Sequence, residues 1–597
     1  MTKKIVDIDL YRKNLTPEAL LRLDPAESEK LFNRMPLKKQ TELVMGAPWK
    51  KRMNIILMAR NAQELVQALP REEIFWTVKE IGPLDALPLL SKTTYEQFAY
   101  MIDLDCWKKD RLDGKQIEAW LKILGKLNEE KVLDWFFQTD ERLIISAFKT
   151  LLSVSKIEEE TDISEEYDSM PPYSFDNVYY FHFRDNDARL VSVPLLHVVY
   201  QNNSKLFYQI ADGLIWEFQP ETEEEAFQIR QRRIAESGFP ELEEALEIYQ
   251  YLNEAEIEAL AGEDFADRDA VHTRDDTPAH TLRYALVGKK GTLFLLSCID
   301  RINNPRVLAD VQQHLVALAN KIIMADCLEI NEIKNMELAV TKAQGYVNIG
   351  LEHISGRNEE RALVFLEKIH PATLFRVGCR KVFDLKNRVK KAIFKDRESL
   401  PSFFDTPWSD VLYGLSRRRP LYYTGLLTEG RLVYRDFETL EEVKATGRAV
   451  DGMQSVDELL FDVFDLDWED LATHCLQQTW LGSPQEIKAA AVFTTILAHH
   501  ILYKKTAWCP LTVQELTGFI DRVFVKGADR EAYHIPRDFR AAAYDWICSH
   551  KPFDELRKKA LGTFVDTCIN RLEEEFCGLI AQKTVDAQYV SSVLVQR

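Results

Sequence analysis

Prolines that interrupt short apolar stripes are the feature that most constrains how this chain can fold. In the first part of the chain, stripes with helical spacing break at Met35-Pro36 and again at Leu69-Pro70. Proline lacks a backbone N–H and disfavours helical geometry at the residue before it, so each break ends a helix after a few turns. Helices this short are unstable alone in water and persist only when they pack on neighbours. The pattern therefore predicts a short-helix repeat domain over residues 1–155.

A local signal marks where one of these helices begins. Asp24 can accept a hydrogen bond as the N-cap, Pro25 suits the first helical position, and Glu27 is expected to complete a capping box. The apolar residues Leu31 and Phe32 follow at helical spacing. Asp24 is therefore predicted to precede the first turn of a helix.

Charge is distributed unevenly along the chain. There are 76 Lys and Arg residues against 95 Asp and Glu residues, a formal net charge of −19. Residues 156–270 hold 8 basic and 28 acidic side chains, so this one region carries the whole imbalance. Residues 156–175 predict an acidic linker, and residues 176–345 predict an acidic helical domain with a small hairpin. Such a region repels nucleic-acid phosphates, but it can attract a basic partner or divalent cations, or simply keep a large protein soluble.

One short strand and two hairpins are the β-structure that the sequence predicts. The aromatic segment 178–183 indicates a strand. The β-prone segments 281–287 and 292–299 flank a turn bounded by glycines, and segments 421–427 and 431–437 flank a second turn that contains glycine.

Helical spacing dominates the remaining segments, so the predicted fold class is mainly α. The expected architecture is a stacked short-helix, superhelical (solenoid-like) array with one or two small β-hairpin insertions. Residues 346–455 predict a helical segment that contains a basic amphipathic helix and one hairpin. Residues 456–597 predict a C-terminal helical domain.

The basic amphipathic helix is the strongest candidate for a binding surface. Val382, Leu385 and Val389 repeat at helical spacing, which places the basic side chains on the other face. Residues 376–397 contain nine basic and two acidic residues, a balance of +7, and Arg417–Arg419 adds further positive charge. The candidate surface comprises Arg376, Arg380, Lys381, Lys386, Arg388, Lys390, Lys391, Lys395 and Arg397. Three explanations stay open: a solvated face, docking against the acidic middle region (residues 156–270) of the same chain, and, with less support, contact with nucleic acid.

Motifs that would indicate catalysis or a bound cofactor are not found in the sequence. There is no H-E-x-x-H, no G-x-S-x-G and no phosphate-binding loop of the required order. Cys475 follows a histidine and Cys509 follows a tryptophan, but a cysteine nucleophile needs a histidine that is close in space. Both cysteines are therefore interpreted as structural. No catalytic residue, metal site or cofactor is predicted.

Cysteine usage and hydropathy indicate the compartment. The nine cysteines are odd in number and lack C-x-x-C spacing, unlike a secreted disulfide framework, and most are expected to be reduced and buried. No apolar stretch reaches the roughly 20 residues that a membrane span requires. The first residues lack the apolar core of a signal peptide. The sequence therefore predicts a cytoplasmic protein without membrane insertion.

Two resemblances to known families accompany these patterns. LLRLDPAESEKLFNRMPLKKQTELVMGA, together with LVQALPREEIFWTVKEIGPLDALPLL, resembles the helical-repeat N-terminal domain of MgtE-type magnesium transporters. That resemblance implies a cytosolic domain that helps to sense magnesium, while the transporter's membrane region has no counterpart in this sequence. In its length and in the segment RIAESGFPELEEALEIY, the chain also resembles a family of uncharacterised bacterial proteins defined by a domain of unknown function, which implies no activity.

Together these patterns favour a non-enzymatic cytoplasmic protein that acts as an interaction or regulatory scaffold. Its helical-repeat surface would bind a protein partner whose identity the sequence does not give. A divalent-cation (magnesium) sensor is the main alternative, because of the acidic middle region and the MgtE resemblance. An enzyme and a nucleic-acid-binding protein are weaker alternatives, and the oligomeric state stays open.

Overall fold

The computed structural model describes residues 16–157, 171–262, 293–392, 402–428, 433–526, 533–582 and 586–597. Within these ranges the protein is mainly helical with a few small antiparallel strand pairs, which confirms the predicted fold class. The chain divides into two compact units. The first contains the described residues within 16–247 and 312–339, and the second contains those within 248–262, 293–311 and 340–597. The five-part division proposed from the sequence stays a prediction.

Short helices are the main elements up to residue 261. The helices are α1 (Pro17–Leu21), α2 (Pro25–Phe32), α3 (Leu37–Gly46), α4 (Trp49–Ile56), α5 (Ala62–Gln67), α6 (Arg71–Ile81), α7 (Leu87–Leu90), α8 (Tyr95–Asp105), α9 (Gly114–Leu124), α10 (Glu129–Gln138), α11 (Glu141–Lys149), α12 (Asn186–Asn202), α13 (Ser204–Trp216), α14 (Gln219–Glu236), α15 (Leu242–Leu246) and α16 (Glu254–Ala261). The strands are β1 (Trp107–Lys108), β2 (Arg111–Leu112), β3 (Leu152–Lys156), β4 (Tyr173–Ser174) and β5 (Tyr179–Phe183).

Several longer helices follow in the rest of the chain. The helices are α17 (Phe294–Ile299), α18 (Pro305–Ala325), α19 (Ile333–Ser355), α20 (Glu359–Lys368), α21 (Pro371–Ala392), α22 (Trp408–Ser416), α23 (Leu440–Asp457), α24 (Trp468–Gln478), α25 (Ala489–Tyr503), α26 (Val513–Val523), α27 (Arg537–His550) and α28 (Glu555–Gln582). The strands are β6 (Tyr422–Tyr423), β7 (Tyr434–Arg435), β8 (Val525–Lys526) and β9 (Tyr533–His534).

Prolines set the starts of short helices in the first unit, as the sequence predicts. Pro25 occupies the first position of α2, and Pro36 and Pro70 are the N-caps of α3 and α6. Asp24 caps α2 by accepting a hydrogen bond from the N–H of Ala26 at 3.1 Å, which confirms the predicted N-cap. The predicted capping box with Glu27 is wrong, because Asp24 bonds the N–H of Ala26 and not that of Glu27. Helix α4 packs on α6, and α6 packs on α8, so alternate short helices support one another.

A buried ion pair lies in the interior of the first unit. Asp103 of α8 accepts hydrogen bonds from Arg233 Nε at 2.7 Å and from Arg233 Nη2 at 2.6 Å. Arg230, one turn earlier on α14, donates from Nε to the carbonyl oxygen of Asp103 at 2.6 Å, and burial lowers the pKa of this guanidinium to about 10. The Asp103 side chain is only 2% exposed, so these contacts offset the cost of removing its charge from water. The pair ties α14 to α8.

A three-stranded antiparallel sheet follows the short helices, with strand order β3-β5-β4. Phe181 of the central strand pairs with Val154 on one side and with Tyr173 on the other. Strand β5 confirms the strand predicted over residues 178–183. The domain boundary proposed at residue 155 lies inside β3.

The first predicted hairpin is wrong in its second strand. Residues 294–299 form helix α17, in which Leu295 and Cys298 are fully buried. The N–H of Leu295 donates to Asn348 Oδ1 at 2.8 Å, so a tertiary contact accompanies the helical form of this short apolar run. The first strand of that hairpin, predicted over 281–287, lies outside the described residues.

The second predicted hairpin is present at its base. Tyr422 pairs with Arg435, and Tyr423 pairs with Tyr434. A short 3-10 turn follows the first of these strands. The tip of the predicted turn, at residues 429–432, is not among the described residues.

Within the second unit, helix α21 crosses helix α19 at a pair of glycines. A Cβ atom on Gly350 of α19 would lie 2.1 Å from the carbonyl oxygen of Leu374, and one on Gly378 of α21 would lie 2.1 Å from that of Tyr346. Because glycine has no side chain, the two backbones approach more closely here than any other residue would permit. The close approach fixes the position of α21 against α19.

The nine cysteines of the chain are all free thiols. Five of them are buried, in agreement with the expectation that most act as small apolar residues. Burial raises the pKa of the Cys475 thiol to about 12, which keeps it protonated.

Across the part of the chain that the structure describes, no helix has both the length and the apolar composition needed to cross a membrane.

Candidate functional site: a cationic surface in the second unit

Helix α21 (Pro371–Ala392) presents apolar residues on one side and most of the predicted basic residues on the other. Val382, Leu385 and Val389 are buried, and Gly378 seats the helix against α19. The helix is amphipathic because its apolar residues recur every three or four positions. Its basic residues have different environments along its length.

Two residues of the acidic middle region contact cations in the first half of the helix. Lys381 forms an ion pair with Glu254 at 3.0 Å. Arg376 donates from Nε to the carbonyl oxygen of Gln250 at 3.3 Å. Internal docking requires contacts of this kind, and it is one of the three explanations that the sequence left open.

Two arginines of the helix also have partners within the second unit. Arg380 forms an ion pair with Asp384, one turn later, at 2.6 Å, and it lies over the Tyr251 ring at 4.0 Å from the centroid. Arg388 forms an ion pair with Asp451 of α23. A paired charge is largely neutralised and attracts a second anion less strongly. Arg380, Lys381 and Arg388 are therefore the predicted cations of the described helix that are paired with carboxylates.

The C-terminal half of α21 carries cations without such partners. Lys390 and Lys391 are exposed, and so are Arg417 and Arg418 after α22; none of the four forms an ion pair with another described residue. Lys386 joins the two segments because its Nζ donates to the carbonyl oxygens of Arg417 at 2.5 Å and of Arg418 at 3.2 Å. Lys386, Lys390, Lys391, Arg417 and Arg418 are called the cationic patch below.

Like charges within and beside the cationic patch act on one another. The pKa of Lys386 is lowered first by burial and then by the neighbouring charges of Arg419 and Lys390. Arg417 lies over the Tyr413 ring, with its guanidinium carbon 4.1 Å from the centroid. A cation–π contact holds a guanidinium in place without neutralising it. The patch is thus a positioned cluster of positive charge that can bind an anionic group.

Sequence reasoning identified part of this arrangement. It found the cations of α21, but it could not show that Lys386 reaches carbonyl oxygens 31 and 32 residues further along the chain. The run Arg417–Arg419 after α22 could have indicated the second segment of the patch, because its positive charge is evident from the sequence. Its position beside Lys386 is known only from the structure. The last two residues of the predicted surface, Lys395 and Arg397, lie outside the described residues.

A cysteine–histidine contact that the sequence did not indicate lies elsewhere in the second unit. Sγ of Cys509 lies 3.5 Å from Nε2 of His499, and that nitrogen lies 2.8 Å from the carbonyl oxygen of Cys509. A carbonyl oxygen can only accept a hydrogen bond, so Nε2 carries the proton and cannot take one from the thiol. Desolvation also raises the pKa of the Cys509 thiol. The geometry therefore supports a structural contact rather than an activated nucleophile.

Fold and site together define a mainly helical protein with a cationic patch. Among the described residues, no group of three or more His, Cys, Asp or Glu side chains is arranged to hold a metal ion. The chain belongs to a family of unknown function (DUF6178), whose family model matches residues 29–596. No curated protein and no solved structure matches it. The resemblance to the MgtE N-terminal domain is therefore not supported. Short helices broken at Leu-Pro pairs are a general property of helical arrays, and they do not identify one family.

Proposed function

We propose that this protein is a non-enzymatic interaction protein that binds an acidic segment of a partner protein through the cationic patch. The observation that carries this proposal is the gathering of exposed cations from two segments, with no carboxylate from the described residues paired to Lys390, Lys391, Arg417 or Arg418. Soluble proteins usually intersperse charges of both signs on their surfaces. A patch of one sign attracts a partner of the opposite sign and guides its approach.

An acidic protein segment suits the patch better than nucleic acid does. The whole chain has a net charge of −19, so it repels a long polyanion as the two approach. A protein that depends on backbone contacts to nucleic acid typically neutralises about 6–10 phosphates. The patch offers fewer cations than that, whereas a short acidic segment needs only a few.

Exposed ion pairs contribute little energy each, so the affinity through the patch is expected to be modest. Each exposed pair contributes about 0.2–1 kcal/mol, and the whole patch therefore about 1–5 kcal/mol. Tyr413, which is 48% exposed beside Arg417, can add an apolar contact. Because mobile ions screen exposed charges, the affinity should fall as the salt concentration rises.

The test is a titration of the full chain into a fluorescently labelled oligoglutamate peptide at low salt, followed by fluorescence anisotropy. The triple variant Lys390→Glu, Lys391→Glu and Arg418→Glu reverses three charges of the patch. We expect it to weaken peptide binding by at least about tenfold, which corresponds to about 1.4 kcal/mol. Absence of peptide binding by the unmodified chain would refute the proposal.

A matched control separates the patch from net charge. Arg34→Glu, Lys38→Glu and Lys51→Glu reverse three exposed charges in the first unit, so the net charge changes by the same amount. This control is expected to keep the peptide affinity within about twofold, because the three residues are not part of the patch that contacts the peptide. An equal loss in both triple variants would contradict the proposal, and so would tighter, patch-dependent binding of duplex DNA than of the peptide.

A further inference from the structure

The second unit contains a cavity of about 430 Å³ at some distance in the sequence from the cationic patch. Sites that bind small molecules typically have volumes of about 300–1,000 Å³. The cavity is bordered by residues that follow α24, by the start of α25, by one position on α28 and by the C-terminal segment 587–595. None of its lining residues belongs to the cationic patch.

Hydrogen bonds hold the C-terminal segment at the edge of this cavity. Glu575 of α28 accepts from the N–H groups of Ser591 at 2.6 Å and Ser592 at 2.9 Å. The N–H of Leu594 donates to Thr495 Oγ1 at 2.9 Å. This wall is therefore formed before a ligand arrives, which reduces the conformational entropy that binding would cost.

Two aromatic side chains of the lining are largely exposed. Tyr589 is 77% exposed and Trp480 is 46% exposed. The guanidinium of Arg597 lies 5.3 Å from the centroid of the Trp480 ring. Large aromatic side chains gain free energy when they are buried, and their rings pack well against other planar groups. These residues favour a ligand that contains a flat apolar ring.

Two cations of the lining retain hydrogen-bond donors. Lys488 donates from Nζ to the carbonyl oxygen of Ser402 at 2.6 Å and forms no ion pair within the described ranges. Arg571 forms an ion pair with Asp405 through Nη1 at 2.5 Å, while its Nη2 lies 3.5 Å from Ser591 Oγ. That second distance is too long for a strong hydrogen bond. Both side chains can therefore donate to an acid group in the cavity.

The acidic residue of the lining is engaged by its own loop. Glu486 accepts at Oε2 from the N–H of Gly482 at 3.1 Å and at Oε1 from the hydroxyl of Ser483 at 3.2 Å. These bonds direct the carboxylate to the loop residues that precede it. Lys488 is therefore not neutralised by this neighbour.

We infer that this cavity binds a small planar aromatic molecule that carries a carboxylate or a comparable acid group. The ring packs against Trp480 and Tyr589, and the acid group accepts hydrogen bonds from Lys488 Nζ and Arg571 Nη2. Charge-assisted hydrogen bonds to a carboxylate are shorter and stronger than neutral ones, and the arginine fork matches its geometry. The combination of ring and acid gives the site its selectivity.

The experiment titrates the full chain with anilinonaphthalene sulfonate, a dye with flat rings and an acid group, and measures the dye's fluorescence. Saturable binding at one site is expected, and naphthoate should displace the dye. Naphthylmethanol has the same ring system without the charge, and we expect it to compete at least about tenfold more weakly.

Variants locate the site. Tyr589→Ala removes a ring contact and Lys488→Met removes a charge, and each is expected to weaken naphthoate binding about tenfold. Trp216→Ala is the matched control, since it removes a 73% exposed aromatic side chain from the first unit, and it should leave naphthoate binding unchanged. The melting temperature of each variant is compared with that of the unmodified chain, so that loss of binding is separated from loss of fold.

Three outcomes would overturn the inference. The first is the absence of saturable naphthoate binding, and the second is equal competition by naphthoate and naphthylmethanol. The third is unaltered naphthoate binding in both Tyr589→Ala and Lys488→Met. The charge-reversed patch variant should bind naphthoate like the unmodified chain, so failure of this inference and failure of the acidic-partner proposal are distinguishable.

Discussion

Replacing Gly350 by alanine is expected to destabilise the second unit, even though alanine is the better helix former. Gly350 lies inside α19, where an added Cβ atom would lie 2.1 Å from the carbonyl oxygen of Leu374. Ordinary van der Waals contacts of a Cβ atom begin at 3.4 Å, so the two helices must separate by about 1 Å. A carbonyl oxygen within a helix cannot rotate aside as the end of a flexible side chain can.

The cost of this separation exceeds the gain in helix propensity. Exchanging glycine for alanine in a helix interior gains about 0.5–1 kcal/mol. Overpacking a close contact costs about 1–3 kcal/mol, and a gap of up to ~1 Å removes a quarter to a half of the dispersion energy of the contacts that it separates. The expected net effect of Gly350→Ala is a loss of about 1–2 kcal/mol in the free energy of unfolding.

Hydrogen–deuterium exchange measures this effect locally, which matters because a chain of two compact units need not unfold in one step. Peptides from α19 and α21 should exchange about tenfold faster in Gly350→Ala than in the unmodified chain. Gly447→Ala is the matched control in the same unit. A Cβ atom there would meet Leu385 Cδ2 at 3.6 Å, an ordinary contact, so this variant should be neutral or gain up to about 1 kcal/mol.

Gly378 supplies the second half of the test. A Cβ atom on it would lie 2.1 Å from the carbonyl oxygen of Tyr346, across the same crossing. Once one alanine has moved the helices apart, the second has less to displace, so the double variant should cost less than the two single variants combined. Unchanged exchange in Gly350→Ala, or strict additivity in the double variant, would refute the close-crossing argument.

Three further predictions concern charged and titratable groups. Asp103→Asn removes the charge that pairs with Arg233 and acts on the buried Arg230, and it should lower the free energy of unfolding by about 3 kcal/mol in denaturant titrations; a loss below about 1 kcal/mol would contradict this. Burial, followed by the charges of Lys381 and Lys444, lowers the pKa of His353 below 6.5. As the pH falls, this histidine is therefore protonated in the unfolded chain before it is protonated in the folded one, and the free energy of unfolding decreases. The melting temperature should therefore drop from about pH 7 to about pH 5, less steeply in His353→Gln, and identical profiles would exclude this cause. Because desolvation raises the pKa of Cys509, its alkylation rate should still be rising at about pH 9, and a plateau below about pH 8 would show an activated thiolate instead.

The short helices and their starts could be predicted because their signals are local. Pro36 and Pro70 act on the backbone next to them, and Asp24 acts on the first turn of its own helix. Strand β5 was also predictable, because consecutive aromatic residues favour an extended, half-buried segment. None of these features depends on which distant residues pack nearby.

Residues 294–299 show why local reasoning fails elsewhere. A short apolar run fits a strand and a helical turn equally well, because it is too short to establish a period. Leu295 and Cys298, three positions apart, are both buried, and the N–H of Leu295 donates a hydrogen bond to Asn348 Oδ1. The acceptor lies 53 residues away, so the run itself carries no sign of it.

The candidate sites were predictable only in part for the same reason. Helical spacing identified the cations of α21, but the pairing of its first half depends on Gln250 and Glu254, which lie 126 and 127 residues before their partners. The cavity left no signal, because its lining comes from separate helices and the C-terminal segment. In the sequence, Trp480 and Tyr589 are two isolated aromatic residues.

The cationic patch is poorly explained by folding alone. Burial and the charges of Arg419 and Lys390 make the charged form of Lys386 less favourable, so this cluster costs stability in the free protein. The same helix shows how such a cost is avoided, since Asp384 and Asp451 each neutralise an arginine. A repulsive cluster is expected where binding supplies the missing charges, because a partner's carboxylates relieve the repulsion that the free protein bears. The charges that disfavour the free protein would favour its complex with an acidic segment. For this reason we propose that the partner binds at the patch and not at the residues of α21 that already have carboxylate partners.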